Sequence, residues 1–523
     1  MKKLKIASII SMIMVLIIAT NSFAQYIGYS WGTTYQIVNI GTDKTNIGVN
    51  YYDSSGVLDA DATRTFTDIA AGASVKVIQV RDDTNLGSGI YSAVVNAGQP
   101  IAAIVNQELY LTGSTSPKPP FSSYSGISLD DAGNKVILPV AMYNYYTYYT
   151  EMTIMNVDSS NDATSITIDY YPTTVNGSVT GVQVLGKTVP TLKPNQSITI
   201  SQKEMTELGN PRFLGSAIVN SPNAKVAVVV NQHSPENYKL MTYNGFVGGD
   251  TVLYISNHMR GYYGYYNSLT IANPNNSDAC VRLTYTPSGP YNKVLSGTIE
   301  PVTVDYKIDA FKNINRYDGP TASDSQSDLD DTVVYSRFFG SVKIQSIPSS
   351  PTLTGCPSTP LPIVAITNGE SISGAAQSSQ SGSFNSGFAS KATQKLASPM
   401  AYSSFYGYYT SIVVQNTTGV DTTCSFTYTS DSVESTIKNH TEVYNESLPA
   451  NGVINIYEGT SGGERGHINT DPAWSNGTYK RFNGSVIIEC GQPVVGYANL
   501  EADILSKDSM YSFNLVNLQV SPQ

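Results

Sequence analysis

The sequence predicts an all-β chain, four tandem two-sheet sandwiches behind a signal peptide. Three observations carry this. One twelve-residue segment recurs along the chain, and further landmarks follow each copy in the same order. Within the landmarks, apolar residues alternate with polar ones, the period of a half-buried strand, while helical periodicity is nearly absent.

The leader comes first. Lys2, Lys3 and Lys5 precede an apolar stretch over residues 6–20, and Asn21-Ser-Phe-Ala24 places small residues for cleavage after Ala24. This is the layout of a secretory signal peptide, residues 1–24. The run is shorter than the roughly 20 apolar residues of a membrane helix. Gln25 follows the cut where a lipoprotein anchor would need Cys. The mature chain is expected to carry no integral membrane segment and to be secreted, extracellular or at the cell surface.

The repeat is the strongest signal. Tyr145-Tyr-Thr-Tyr-Tyr-Thr-Glu-Met-Thr-Ile-Met-Asn156 aligns without gaps to Tyr262-Tyr-Gly-Tyr-Tyr-Asn-Ser-Leu-Thr-Ile-Ala-Asn273. It also aligns to Phe405-Tyr-Gly-Tyr-Tyr-Thr-Ser-Ile-Val-Val-Gln-Asn416, and more weakly to residues 28–39. A Pro- or Gly-containing turn and an alternating strand follow, at Ala71, Lys193, Glu300 and Pro449. Then comes Arg-Phe-x-Gly-Ser, beginning at Arg212, Arg337 and Arg481, of which the first copy keeps only Ser92. An apolar run ends each set, at Asn106, Asn231, Asn368 and Asn499. Seven or so short strands per copy suggest a sandwich of two sheets. The copies span 25–130, 131–249, 250–392 and 393–523, with a Ser/Gly-rich linker read over 371–393 at the end of the third.

The order of these landmarks, with Asp169-Tyr-Tyr-Pro172 between the first strand and the turn, resembles the tandem immunoglobulin-like repeats of bacterial extracellular and cell-surface proteins. The resemblance covers essentially the whole mature chain. It implies a fold and an exported location, but no particular activity.

Four cysteines occupy matching places in the last two copies. Cys280 and Cys424 precede a Thr-Tyr-Thr strand, and Cys356 and Cys490 precede the apolar run. Three pairings are open to four cysteines; the repeat register selects Cys280–Cys356 and Cys424–Cys490. A zinc site lacks the necessary close spacing.

Composition excludes some partners. Net charge is −10, or −13 without the leader lysines, and only 13% of residues are charged. Nucleic acid, which needs clustered Lys and Arg, is not expected. The four histidines (His233, His258, His440 and His467) fall at no repeated position. No nucleophile elbow, phosphate loop or dinucleotide fingerprint is visible, so no catalytic residue is nominated and neither an enzyme nor a cofactor is expected. The acidic loop with Asp324, Asp328, Asp330 and Asp331 has oxygen ligands dense enough for calcium, but the spacing matches no EF-hand and a solvated loop is the preferred reading, so no metal is expected.

The 37 tyrosines concentrate before the first inward strand of each copy. Continuous alternation turns Tyr146 and Tyr148 to the core face. It turns Tyr145, Tyr149, Tyr262, Tyr266, Phe405 and Tyr409 outward, as repeated patches for self-packing or for stacking on sugars. Glycan acceptor sequences occur at Asn176, Asn195, Asn275, Asn416, Asn439, Asn445, Asn476 and Asn483.

Extended segments precede copies two, three and four, at residues 136–141, 251–256 and 395–399, and cleavage leaves copy one without an equivalent. The chain ends on a segment of that type containing Leu515, Val516, Leu518 and Val520. Head-to-tail strand addition into a homopolymer follows as a hypothesis; the alternative is that this tail is the last strand of copy four. The expected function is thus a structural subunit of an extracellular assembly (sheath, tube, filament or surface layer), with an adhesin or glycan-binding protein as the alternative.

Overall fold

The structure is a computed structural model. It describes residues 12–18, 29–111, 120–175, 178–209, 211–237, 239–319, 327–330, 334–371, 380–459, 466–478, 480–502 and 510–518. It is all-β with several sheets, and among the described residues the only helices are single turns, such as the 3₁₀ turns Gln202–Glu204 and Thr206–Leu208.

One strand order recurs along the chain. In the second copy, one sheet runs Lys135–Tyr143, Phe213–Asn220, Thr167–Pro172, Val184–Thr188. The facing sheet runs Ser197–Ser201, Tyr149–Asn156, Val226–Ser234, Lys239–Asn244. The equivalent strands of the other copies pair in the same order. In the fourth, the 21-residue strand Phe482–Ala502 passes from one sheet into the other.

The sequence pattern explains these elements. Met152 and Ile154 are fully buried, as are Leu269, Ile271, Ile412 and Val414. Each of these strands thereby presents one apolar face to its core, and the other face is largely buried as well. Removing the apolar face from water stabilises the fold by about 25 cal/mol per Å². Where the strand ends in Asn, the side chain staples the following loop. Asn156 Nδ2 donates to the carbonyls of Asn161 (2.8 Å) and Leu192 (3.0 Å), and Oδ1 accepts from Asp158 N. Asn39, Asn273 and Asn416 do the same in the other copies, and all four are 0% exposed.

One sequence expectation is corrected. The Ser/Gly-rich stretch near residue 380 is not simply a linker: Ser381–Asn385 and Gly387–Phe388 are strands, and Ala389–Lys391 is a 3₁₀ turn. Residues 372–379 lie outside the described residues. Small polar residues lack the apolar alternation that marks a strand, yet here they fill a crowded centre. Within the expected leader, Met12–Ile18 is a strand, paired with Tyr91–Ala97 over seven positions and with Ile127–Ser128. It takes the place that Lys135–Tyr143, Val252–Tyr262 and Thr393–Ser403 take in the later copies.

Both expected cysteine pairs stand at bonding distance, Cys280–Cys356 at 2.07 Å and Cys424–Cys490 at 2.05 Å. Cross-linking loops of this length stabilises by about 4 kcal/mol in the chain-entropy model. The cores are not isolated beads. One buried apolar cluster joins residues of copies two and three with Val413 and Tyr497, and another joins copy one with Met155, Val157, Ala227 and Val229. Among the described residues, no helix is long and apolar enough to cross a membrane.

Candidate contact surface

The copies close into a ring. Ser92 Oγ, in the first, donates to the carbonyl of Asn195 in the second. Ser216 Oγ, in the second, donates to that of Phe311 in the third (2.6 Å). Ser485 Oγ, in the fourth, donates back to Gly72 in the first (2.6 Å). Each donor is the serine of the repeated motif, and each acceptor lies in the turn before the strand that pairs with the tyrosine strand. In the third copy this turn is at 309–312, before Asn313–Tyr317, and not at Glu300, whose following strand belongs to the other sheet. The acceptors all sit in the left-handed region, with φ of 76° at Gly72, 61° at Asn195 and 62° at Phe311. The third and fourth copies meet where Tyr254 OH donates to Thr417 O (3.1 Å) and Phe384 packs on Tyr497 with centroids 4.0 Å apart.

The rest of the motif is equally specific. Phe213, Phe338 and Phe482 are buried in the cores. A Cβ on Gly215, Gly340 or Gly484 would lie 2.1 Å from the carbonyl oxygen of Tyr171, Thr286 or Thr429, so only glycine allows the strands to approach. Arg212 stacks over Tyr145 and Tyr146, and Arg481 over Tyr406, at 4.6–5.4 Å from the ring centroids.

At the centre of the ring, the strands Phe121–Ser125, Lys239–Asn244, Ser381–Asn385 and Met510–Asn514 converge, one from each copy. Their ends form a closed circuit of hydrogen bonds. Asn244 Nδ2 donates to Ser125 O (2.8 Å), Asn385 Nδ2 to Asn244 O (2.7 Å) and Asn514 Nδ2 to Asn385 O (2.6 Å). Ser125 Oγ completes it on Asn514 O (3.1 Å). Sequence reasoning missed this circuit. Its signal was a recurring aromatic residue followed by Ser or Asn, at Tyr124-Ser125, Tyr243-Asn244, Phe384-Asn385 and Phe513-Asn514.

The tyrosine clusters fall on hairpin tips, and this reverses the expected faces. Tyr145 and Tyr148 exchange backbone hydrogen bonds, as do Phe405 and Tyr408, and Tyr262 pairs with Tyr265. The two residues between them turn with positive φ: Tyr146 (50°) and Thr147 (70°), Tyr263 (48°) and Gly264 (82°), Tyr406 (49°) and Gly407 (82°). These are two-residue hairpins, where Asn-Gly is the favoured pair. Alternation fails at such a reversal. The outward residues are Tyr146 (68% exposed), Tyr263 (58%) and Tyr406 (59%); Tyr262, Phe405 and Tyr409 are buried, and Tyr145, Tyr149 and Tyr266 are half-buried. Each exposed ring lies edge-on to its preceding neighbour, half-buried Tyr145 or buried Tyr262 and Phe405, at 4.7–4.9 Å. The three tips occupy equivalent positions in their copies, each beginning the strand that pairs with the apolar run.

Other expected sites resolve differently. Asp328 is buried and holds the Arg316 guanidinium at 2.7 Å, while the hydroxyls of Tyr285 and Tyr306 donate to it. That cation is already provided, so Asp328 is not free to bind calcium. Asp324 and Asp331, and the side chain of Asp330, lie outside the described residues. Among the described residues no cluster of three or more His, Cys, Asp or Glu is arranged for a metal. Nearby, buried Asp318 accepts from His258 Nε2 (2.7 Å) and Ser327 Oγ (2.6 Å). The serine meets the carboxylate and not the imidazole, so this is not a base-activated nucleophile. Burial pushes the Asp318 carboxyl up, but His258, Ser327 and the charge of Arg260 together outweigh it and hold the group below its ordinary value.

Of the glycan acceptors, Asn416 and Asn483 are fully buried. Asn416 Nδ2 is spent on Val420 O and Pro449 O, and Asn483 Nδ2 donates to Asp431. Neither can carry a sugar in this fold. Asn275 Nδ2 donates to Asn273 Oδ1 and Pro362 O, and Asn195 is half-buried where copies one and two meet. Asn439, Asn445 and Asn476 are exposed, and Asn176 lies outside the described residues.

The tail is docked at home. Val516 and Asn517 pair with Ala397 and Leu396, Leu515 is buried in the fourth core, and Leu518 packs against Val38, Ala102 and Ala397. Val520 lies outside the described residues. No family model matches the chain, and neither a curated protein nor a solved structure matches it.

Proposed function

We propose that the chain is a secreted structural subunit of an extracellular bacterial assembly (a sheath, tube, filament or surface layer), built from four immunoglobulin-like sandwiches after a cleaved signal peptide. One observation carries this reading: three exposed tyrosines on strained hairpin tips at equivalent positions of three copies in a closed ring. A bulky side chain at positive φ costs on the order of 1–3 kcal/mol. Asn-Gly would make the same turn without that cost, so the ring itself is what the position serves. Tyr is large, amphipathic and stiff, the kind of residue that anchors protein contacts. The two disulfide-distance pairs fit an oxidising, extracellular setting.

Electron microscopy and sedimentation of the secreted protein test this. The wild type is expected to form regular polymers, and a variant with Tyr146, Tyr263 and Tyr406 all changed to Ser is expected to be folded but unassembled. A wild type that remains monomeric at all concentrations would overturn the reading. The second reading, a glycan-binding or adhesive surface protein, is favoured by the flat rings flanked by Arg212 and Arg481, suited to stacking on sugars. Saturable binding of polysaccharide by the monomer, lost in the triple variant, would select it.

A further inference from the structure

We infer that the outer strand of the second copy, Val184–Thr188, docks against the outer strand of the fourth copy, Thr441–Leu448, of another molecule of this chain, and so joins the rings in rows. The inference rests on the structural-subunit reading and names a contact within such an assembly.

Every sandwich has one strand at the far edge of the sheet that holds its first strand: Leu58–Ile69, Val184–Thr188, Val302–Ile308 and Thr441–Leu448. Among the described residues each of these pairs along one side only, with Thr45–Tyr52, Thr167–Pro172, Ala279–Pro287 and Thr422–Ser430. Such an edge is a template for another chain unless something blunts it. Two of the four are blunted. In the first copy, residues 60–63 bulge opposite Asn50 alone, between the pairs Tyr51–Asp59 and Val49–Arg64. In the third, the loop that leads to Cys356 reaches the outer strand, where Ser350 Oγ donates to Asp305 (2.6 Å). The charges of that strand are also spent inside the copy, Asp305 on Arg282 (2.8 Å) and Lys307 on Asp278 (2.9 Å).

The outer strands of copies two and four are open, and they complement each other. In Val184–Thr188 only Val184 is not fully exposed. Leu185 (57% exposed) stands beside Gly186, which has a φ of 67° and sits in a one-residue bulge. In the fourth copy Thr441, Val443, Asn445 and Ser447 are exposed, Val443 by 54%. Lys187 is the one charge on the first of these strands, and Glu442 and Glu446 are the two on the second. Within the chain Lys187 meets Glu207 (2.5 Å), Glu442 meets His440 (2.8 Å) and Glu446 meets His467 (3.0 Å). The first two are surface pairs, which contribute little and exchange readily. A chain of net charge −10 repels its own kind over most of its surface. A strand with a lysine and no carboxylate, set against one with two glutamates, reverses that repulsion and fixes the match. Leu185 and Val443 add an apolar contact beside the charges.

The ring decides what this contact builds. Its central circuit runs through copies one, two, three and four in turn, so copies two and four lie on opposite sides. One molecule cannot pair its own two strands, and a contact between unlike surfaces on opposite sides does not close. Rings joined this way extend in a row. A five-residue strand against an eight-residue one buries less than the roughly 1,000 Å² of a stable interface. The contact therefore acts together with the tyrosine tips and does not replace them.

A charge exchange on the full exported chain tests this. Lys187→Glu, and separately Glu442→Lys with Glu446→Gln, give the two outer strands like charge. Each variant alone should need about tenfold more protein, or more still, before polymers form. An equal mixture restores opposite charges at every junction and should polymerise like wild type, a recovery that also shows both variants to be folded. Chains with Leu185→Cys and chains with Val443→Cys, mixed and mildly oxidised, should form a disulfide-linked dimer that neither forms alone. Undiminished polymers in both charge variants would overturn the inference and leave the structural-subunit reading intact. So would a mixture that stays dispersed while the cysteine chains polymerise without joining. A wild type that never polymerises would sink that reading, and this inference with it.

Discussion

Lys76 offers the sharpest test of how the ring is closed. It lies on the Ser74–Ile78 strand of the first copy, with its side chain 12% exposed against the fourth. Its ammonium sits 4.3 Å from the ring centroid of Phe405, 4.9 Å from that of Tyr402 and 3.8 Å from the Glu434 carboxylate. Burial dominates and pushes the ammonium down from 10.5 to about 8, even though Glu434 pulls the other way. At 1.36 kcal/mol per pKa unit, holding this lysine charged in the folded protein costs about 3 kcal/mol below pH 8. Lys76→Met keeps the stem and removes the charge, so it should stabilise the protein by about that amount at pH 7. The pH dependence fixes the sign. Between pH 8 and 10.5 the unfolded chain holds a proton that the folded one has released, so wild-type stability rises across that window. The advantage of the variant should therefore be complete below pH 8 and gone by about 10.5. Urea unfolding across this range reads it directly. A variant no more stable than wild type at pH 7, or one whose advantage ignores pH, would refute the claim that desolvation outweighs Glu434 and the aromatic faces.

Further outcomes follow from the same physics. Glu151 is 2% exposed, and burial raises its carboxyl to about 8, with Ser201 opposing. Its contribution is intact below about pH 4.5 and lost as pH rises through 8, so Glu151→Gln should gain about 3 kcal/mol at pH 7 and nothing at pH 4, read by thermal unfolding. Asn156→Ala removes two donated and one accepted hydrogen bond at a fully buried staple and should cost about 3 kcal/mol in the same assay. Asn476→Ala, on the surface, should stay within about 0.5 kcal/mol. Peptide mass mapping of secreted material should find Asn416 and Asn483 unmodified whatever is attached elsewhere, because both amides are spent inside the fold.

Much of the fold was legible because the repeat compares the chain with itself. Alternation about Met152, Leu269 and Ile412 gave the inward faces of those strands, and the matched placement of Cys280, Cys356, Cys424 and Cys490 gave the two pairs. The tyrosine faces were misread at one point. Parity along a strand holds only while the chain runs straight, and Tyr146, Tyr263 and Tyr406 sit where it reverses. The strand Ser381–Asn385 was read as part of a linker because residues packed against other strands of small polar residues need no apolar face.

By itself the sequence determined an all-β chain with a repeating unit, its disulfide-distance pairs, and the motif positions that matter, since these depend on local periodicity and on comparison between copies. The tertiary structure alone decided what those positions do. The serine of Arg-Phe-x-Gly-Ser reaches a carbonyl in the next copy, and the ends of four distant strands close one circuit of hydrogen bonds. Such contacts join residues up to several hundred positions apart, and no pattern within one copy records which surface of the next it will meet.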